Sequence, residues 1–198
     1  MTDSERRQYG LEPFLHDASQ GDASVHIRIQ SGLDHINLRG NAEDQRFTED
    51  VEKVLGQKLP ATPNTATVGA HRMYWLGPNE WLILSEVQAL AEALQKSLSR
   101  THAAVNDLSG GQIALRLAGP DVRDVLAKGC TLDFHPQVFT TGMCAQSGLA
   151  RASVLIGLPD EQDVFDIVVR RSFSDYLVRW LQHAATEFGD PVVSNMYP

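Results

Sequence analysis

At 198 residues, 42% of them apolar and 21% charged, the chain has the length and balance of a globular protein. That length suits one large domain or two closely packed halves. The formal net charge of -8 argues against a nucleic-acid surface, which needs clustered Lys and Arg.

Residues 1–24 show no apolar periodicity and read as an N-terminal arm; MTDSERRQYGLEP has no apolar segment of the kind that signal peptides carry. Val25, Ile27 and Ile29 alternate with polar residues as in a half-buried strand. Ile36 and Leu38 mark a second strand. Asn41 is placed to cap a helix with Phe47, Val51, Val54 and Leu55 on its apolar face and Gly56 at its end. Residues 59–67 form a Pro- and Thr-rich loop. Met73–Leu76 and Trp81–Leu84 flank Gly77-Pro78-Asn79-Glu80 and predict a hairpin. Ser85, with Gln88 three residues on, has the spacing of a capping box for a helix burying Val87, Leu90, Ala91, Leu94 and Leu98. Ala103–Asp107 returns as a strand.

The same order follows again. Ile113, Leu115 and Leu117 alternate as a strand, and Pro120–Lys128 is a short helix that Gly129 ends. Cys144–Leu149, Ser153–Ile156 and Val164–Val169 are strands. Ser172 with Asp175 is expected to cap a long helix carrying Phe173, Tyr176, Leu177, Trp180, Leu181, Ala184 and Phe188, before a last strand at Val192-Val193. The pattern predicts an α+β fold of two ferredoxin-like β-α-β-β-α-β halves, 25–108 and 109–198, packed as one structural domain.

Glycines at Gly110, Gly111 and Gly119 raise the question of a phosphate-binding loop. Gly110-Gly111 precede a strand, whereas a dinucleotide loop needs glycines between a strand and its helix. Gly119-Pro120-Asp121 does lie there, but Pro120 lacks an N–H and Asp121 repels an anion. These glycines turn the chain.

No other motif forms a catalytic constellation. His16, His26, His35, His71, His102, His135 and His183 show no metal-ligand spacing. His135, before Pro136, reads as a residue whose hydrogen bond fixes a loop. Ser109 belongs to a turn, and no G-x-S-x-G is present. Cys130 and Cys144 form no disulfide framework, and Cys144 has no visible base; both read as reduced, buried thiols of a cytoplasmic protein. Glu49-Asp50 and Asp160-Glu161 read as solvated faces or turns. Trp75, Trp81 and Trp180 fit either an aromatic wall or core anchors, with core favoured. Catalytic, cofactor-binding and metal residues are accordingly all expected to be none, and no membrane-spanning run is present.

Four strings then carry a family resemblance: LGPNEWLIL (76–84), LRLAGPDVRDVLAKGCTLDFHP (115–136), FTTGMCAQSGLARASVLI (139–156) and FDIVVRRSFSDYLVRWLQHAATEFG (165–189). They resemble the gamma subunits of heterotetrameric sarcosine oxidases. More distantly, DLS…GPD…VL is similar to the aminomethyltransferase superfamily, whose folate-binding body is built from ferredoxin-like units.

The resemblance implies a non-catalytic gamma-type subunit that docks on the alpha subunit of a complex with alpha, beta and delta partners. Such complexes demethylate sarcosine oxidatively to glycine, hydrogen peroxide and methylenetetrahydrofolate. FAD, FMN, NAD and tetrahydrofolate are then expected in the partner subunits and none in this chain. GLPDEQDVFDI stands where folate-using relatives carry a glutamate-containing stretch, so no pterin-binding carboxylate carries over. A stand-alone folate-binding or aminomethyltransferase-like protein is the alternative, and a complex acting on another N-methyl amine is a third reading.

Overall fold

A computed structural model describes Leu11 and residues 23–189 and 191–196. The predicted arm, 1–24, therefore lies almost wholly outside the described residues, although Leu11 is buried. In chain order the elements are β1 (His26–Gln30), β2 (Asp34–Gly40), α1 (Gln45–Leu55), β3 (Ala66–Val68), β4 (Arg72–Gly77), β5 (Glu80–Ser85), α2 (Leu90–Ser97) and β6 (Ala103–Asp107). They continue with β7 (Gln112–Ala118), α3 (Val122–Ala127), β8 (Met143–Leu149), β9 (Ala152–Leu158), β10 (Val164–Arg170), α4 (Ser174–Ala185) and β11 (Val192–Met196).

The strands form two sheets, one of five strands in the order β3-β4-β5-β2-β6 and one of six in the order β11-β1-β7-β10-β9-β8. The first contains a contiguous ferredoxin-like set, β2, β4, β5 and β6; the second repeats it with β7, β9, β10 and β11, but with β1 inserted between β11 and β7. β3 and β8 extend the corresponding edges, and there the sheets approach each other, with Thr65 bridging Met143.

Strand β1 departs from the predicted division at residue 25. It lies in the second sheet, antiparallel to β7 and parallel to β11. In the first sheet β6 already occupies the place beside β2, whereas Ile27 and Ile29 complete the core under α3 and α4.

Alternation along the strands divides the apolar residues into three layers. Phe47, Val51, Leu55, Leu90 and Leu94 of α1 and α2 pack on Ile36, Leu38, Met73, Trp81 and Ile83. Val122, Val125, Leu177, Val178 and Leu181 of α3 and α4 pack on Leu115, Leu117, Phe165 and Ile167. Between the sheets, Tyr74, Leu82 and Leu84 meet Ala114, Cys144, Leu155 and Val168. The result is helices, sheet, sheet, helices.

Three predicted caps are not formed. Asp44, not Asn41, caps α1, its carboxylate accepting from the Arg46 N–H at 2.9 Å; Asn41 accepts one turn earlier, from Glu43. Ser85 ends β5 and its hydroxyl oxygen accepts from the Val87 N–H, so α2 begins only at Leu90 and Val87 is exposed. Ser172 lies inside a 3-10 turn, Arg171–Phe173, that leads into α4 without a side-chain cap, and this turn leaves Phe173 exposed.

Candidate functional site: a polar seam between the sheets

Asp166 interrupts the apolar strand VFDIVVR. Its neighbours Phe165 and Ile167 point into the helix-side core, so its carboxylate points at the other sheet, where it is 1% exposed. A carboxylate buried there costs several kcal/mol unless it is paired and hydrogen-bonded.

Three side chains provide that pairing. Tyr74 Oη donates to Oδ2 at 2.5 Å. Arg72 Nη1 reaches Oδ1 and Oδ2 at 3.3 and 3.2 Å. Gln30 Nε2 donates to Oδ1 at 2.9 Å, while its Oε1 accepts from Arg72 Nη2 at 2.5 Å. Arg72, Gln30 and Asp166 thus close a triangle that ties β4, β1 and β10 together. The residues are far apart in sequence but lie on facing surfaces of two sheets.

Two features shape the seam. Gly157, opposite Asp166 on β9, leaves room for the Tyr74 ring: a Cβ there would stand 2.5 Å from Cε1. Arg116, opposite Asp166 on β7, donates twice to Asp160, at 2.7 and 2.9 Å.

The electrostatics follow. Burial, then the Asp166 charge, push the Tyr74 phenol well above its ordinary pKa. Burial alone would lower the Arg116 pKa, but Asp166 and Asp160 outweigh it and hold the guanidinium above its ordinary value. The seam thus holds Tyr74 as a neutral phenol and Arg116 as a guanidinium.

The residues singled out by sequence are dispersed. Cys144 is buried with Sγ beside the carbonyls of Thr65 and Trp75, and burial raises its pKa to about 12, so it is no thiolate. Cys130 is also buried, its Sγ 3.5 Å from Ser147 Oγ. Ser109 is buried and accepts from the His35 N–H at 2.9 Å while donating to Asp107. His135 Nδ1 accepts from the Gln137 N–H, a loop-fixing contact.

His71 Nδ1 lies 2.9 Å from Ser85 Oγ, and burial lowers its pKa. His35 Nδ1 lies 3.4 Å from Gln112. His26 is half-buried, His102 and His183 are exposed, and His16 lies outside the described residues. Trp75 and Trp81 belong to the α1–α2 core, Trp81 stacked on Phe47, whereas Trp180 packs in the other core against Gly129, so the three form no common wall.

Gly119 has φ +128 and sits against the Ser24 carbonyl, a position only a glycine can fill. Of the acidic pairs, Asp50 meets Arg46 on the α1 surface, and Asp160 closes one side of the seam. Among the described residues no group of three or more His, Cys, Asp or Glu could hold a metal ion, and no helix is long and apolar enough to cross a membrane.

Sequence reading missed Asp166, Tyr74, Arg72 and Gln30. One signal was available: an aspartate at an inward position of a β-branched, apolar strand requires partners.

Comparison with known proteins identifies the family. Residues 39–187 match the model of the sarcosine oxidase, gamma subunit family. The sarcosine oxidase gamma subunit of Corynebacterium sp. (strain P-1) is 36% identical over 193 residues, covering 95% of this chain and 94% of that one. That of strain U-96 is 36% identical over 136 residues; the alignment covers 67% of this chain and 66% of the relative, just under two thirds of its length.

A chain of the heterotetrameric sarcosine oxidase structure from Corynebacterium sp. U-96, solved in complex with pyrrole 2-carboxylate, superposes with a TM-score of 0.78 at 32% identity. It covers 85% of this chain and 87% of that one. The aminomethyltransferase T of the Bartonella henselae glycine cleavage system shares the fold, with a TM-score of 0.63 at 16% identity over 87% of this chain and 48% of that one. By family model, sequence identity and fold together, the chain belongs to the sarcosine oxidase gamma subunit family.

Proposed function

We propose that this chain is a non-catalytic gamma subunit that docks on the larger subunits of a heterotetrameric sarcosine oxidase. The complex would oxidise sarcosine to glycine with formation of hydrogen peroxide and methylenetetrahydrofolate. The observation that carries this reading is the likeness to a gamma subunit along 95% of the chain. Its partners are the alpha, beta and delta subunits, in the cytoplasm. FAD, FMN, NAD and tetrahydrofolate belong to those partners.

The seam supports a structural role for this chain. Its buried carboxylate, Asp166, already accepts from Tyr74, Arg72 and Gln30. A pterin ring would have to displace these partners, so the residues present do not fit a folate site at the seam. The two halves are instead locked together, which presents a rigid outer surface to a partner.

Co-expression of the tagged chain with the genes flanking its own, followed by an absorbance scan, tests the reading. Larger subunits should co-purify with a flavin spectrum and sarcosine-dependent peroxide formation. A chain that purifies alone, colourless and folded, with its melting temperature raised by tetrahydrofolate, would replace this reading with a stand-alone folate-binding protein.

A further inference from the structure

In the antiparallel pair of β1 and β7, Arg28 stands directly opposite Arg116. Both side chains lie on the face turned away from the α3–α4 core, because Ile27, Ile29, Leu115 and Leu117 fill that core from the alternate positions. Directly opposed residues on one sheet face have Cβ atoms ~5 Å apart, and like charges there destabilise the pair.

Arg116 has Asp160 as its ion partner, and Arg72 has Asp166. Arg28 is exposed, and its side chain has no ion pair or hydrogen bond with any described residue. Of the guanidiniums beside Asp166, those of Arg72 and Arg116 are thus ion-paired, and that of Arg28, opposite Arg116, is not. It stands so in a chain whose net charge is -8.

We propose that Arg28, backed by Arg116, is the anchor for an Asp or Glu side chain of the larger subunit on which this chain docks. The proposal rests on the gamma-subunit reading. A guanidinium takes a carboxylate through two parallel N–H···O bonds, and arginine is enriched among the residues that dominate interfaces. A single carboxylate matches the one guanidinium left without an ion partner beside Arg116. The incoming carboxylate relieves the repulsion that the free chain carries between Arg28 and Arg116. Docking and the stability of the free chain therefore make opposite demands on Arg28.

Those opposite demands are the test. Arg28→Gln and Arg28→Glu are introduced into the co-expressed complex and into the full chain alone. In the complex, Arg28→Glu is expected to weaken assembly roughly tenfold or more, with retention on the affinity column lost at lower NaCl than for wild type. Arg28→Lys should fall between the two. In the isolated chain, Arg28→Gln is expected to leave the melting temperature unchanged or to raise it, since a like-charge pair is removed.

A complex that tolerates Arg28→Glu with unchanged salt dependence would overturn the proposal. So would Arg28→Gln lowering the stability of the free chain and the assembly together, which would mark a structural residue. Phosphate that raises the melting temperature of the wild-type chain but not of Arg28→Gln, with assembly unaffected, would assign the site to a small anion and also overturn it. Failure of the wild-type chain to assemble at all would instead refute the gamma-subunit reading itself.

Discussion

The phenol ring of Tyr74 occupies the space that a side chain on Gly157 would need: a Cβ at Gly157 would lie 2.5 Å from Tyr74 Cε1. This fit lets the hydroxyl reach Asp166 across the two sheets. Gly157→Ala should therefore destabilise the protein by roughly 1–3 kcal/mol, the usual cost of overpacking a core. Urea unfolding measures it, and Gly157→Ala with Tyr74→Leu should recover part of the loss.

Asp166 and Arg72 form the ion pair at the centre of the seam, with side-chain exposures of 1% and 13%. Removing Arg72 alone, as Arg72→Met, leaves a buried carboxylate short of its cation and should cost about 3–5 kcal/mol. Asp166→Asn in the same background should restore stability, because the uncompensated charge is gone. A double-mutant cycle by chemical denaturation checks this, and additive losses would contradict the pairing.

The fold order was legible in the sequence because hydrophobic periodicity is a local property. The alternation of Ile113, Leu115 and Leu117 and the spacing of Phe47, Val51 and Leu55 place strands and helices without knowledge of their neighbours. What was not legible depends on competition between distant segments. Nothing in His26–Gln30 says that it pairs with β7 and β11, because its alternation would suit either sheet. The Ser85 hydroxyl has the spacing of a cap but is engaged by His71 and the Val87 N–H at the strand end. The seam joins residues up to 136 positions apart, and only the lone aspartate in VFDIVVR hinted at it.

Alkaline pH should destabilise the chain in a defined way. Burial raises the pKa of Cys144 to about 12 and holds Tyr74 well above its ordinary value, so the folded state keeps protons that the unfolded state releases. The stabilisation from Cys144 is full below its unfolded pKa near 9 and is lost as pH rises from there toward 12. Each such group contributes a slope of up to about 1.4 kcal/mol per pH unit. Urea midpoints between pH 8 and 11 should fall for the wild type and fall less steeply for Cys144→Ala. The native thiol should also resist thiol reagents until the chain unfolds.

Acid acts through His71, whose pKa burial lowers. A base with a depressed folded pKa gives stability that is present above its unfolded pKa of 6.5 and is lost as pH falls through the folded value. His71→Gln should flatten the stability profile below pH ~6.5. An unchanged profile would mean that His71 becomes charged without cost.

Tyr74→Phe in the assembled complex tests the central claim, that the seam holds this subunit together and takes no part in chemistry. The substitution removes the hydroxyl that donates to Asp166 but leaves Arg72 and Gln30 in place. It should cost about 1–2 kcal/mol of stability in this chain. Sarcosine-dependent peroxide formation per mole of flavin in the purified complex should equal that of the wild type. A fall in turnover, with subunit composition and flavin content intact, would contradict the account and make the seam part of the catalytic machinery.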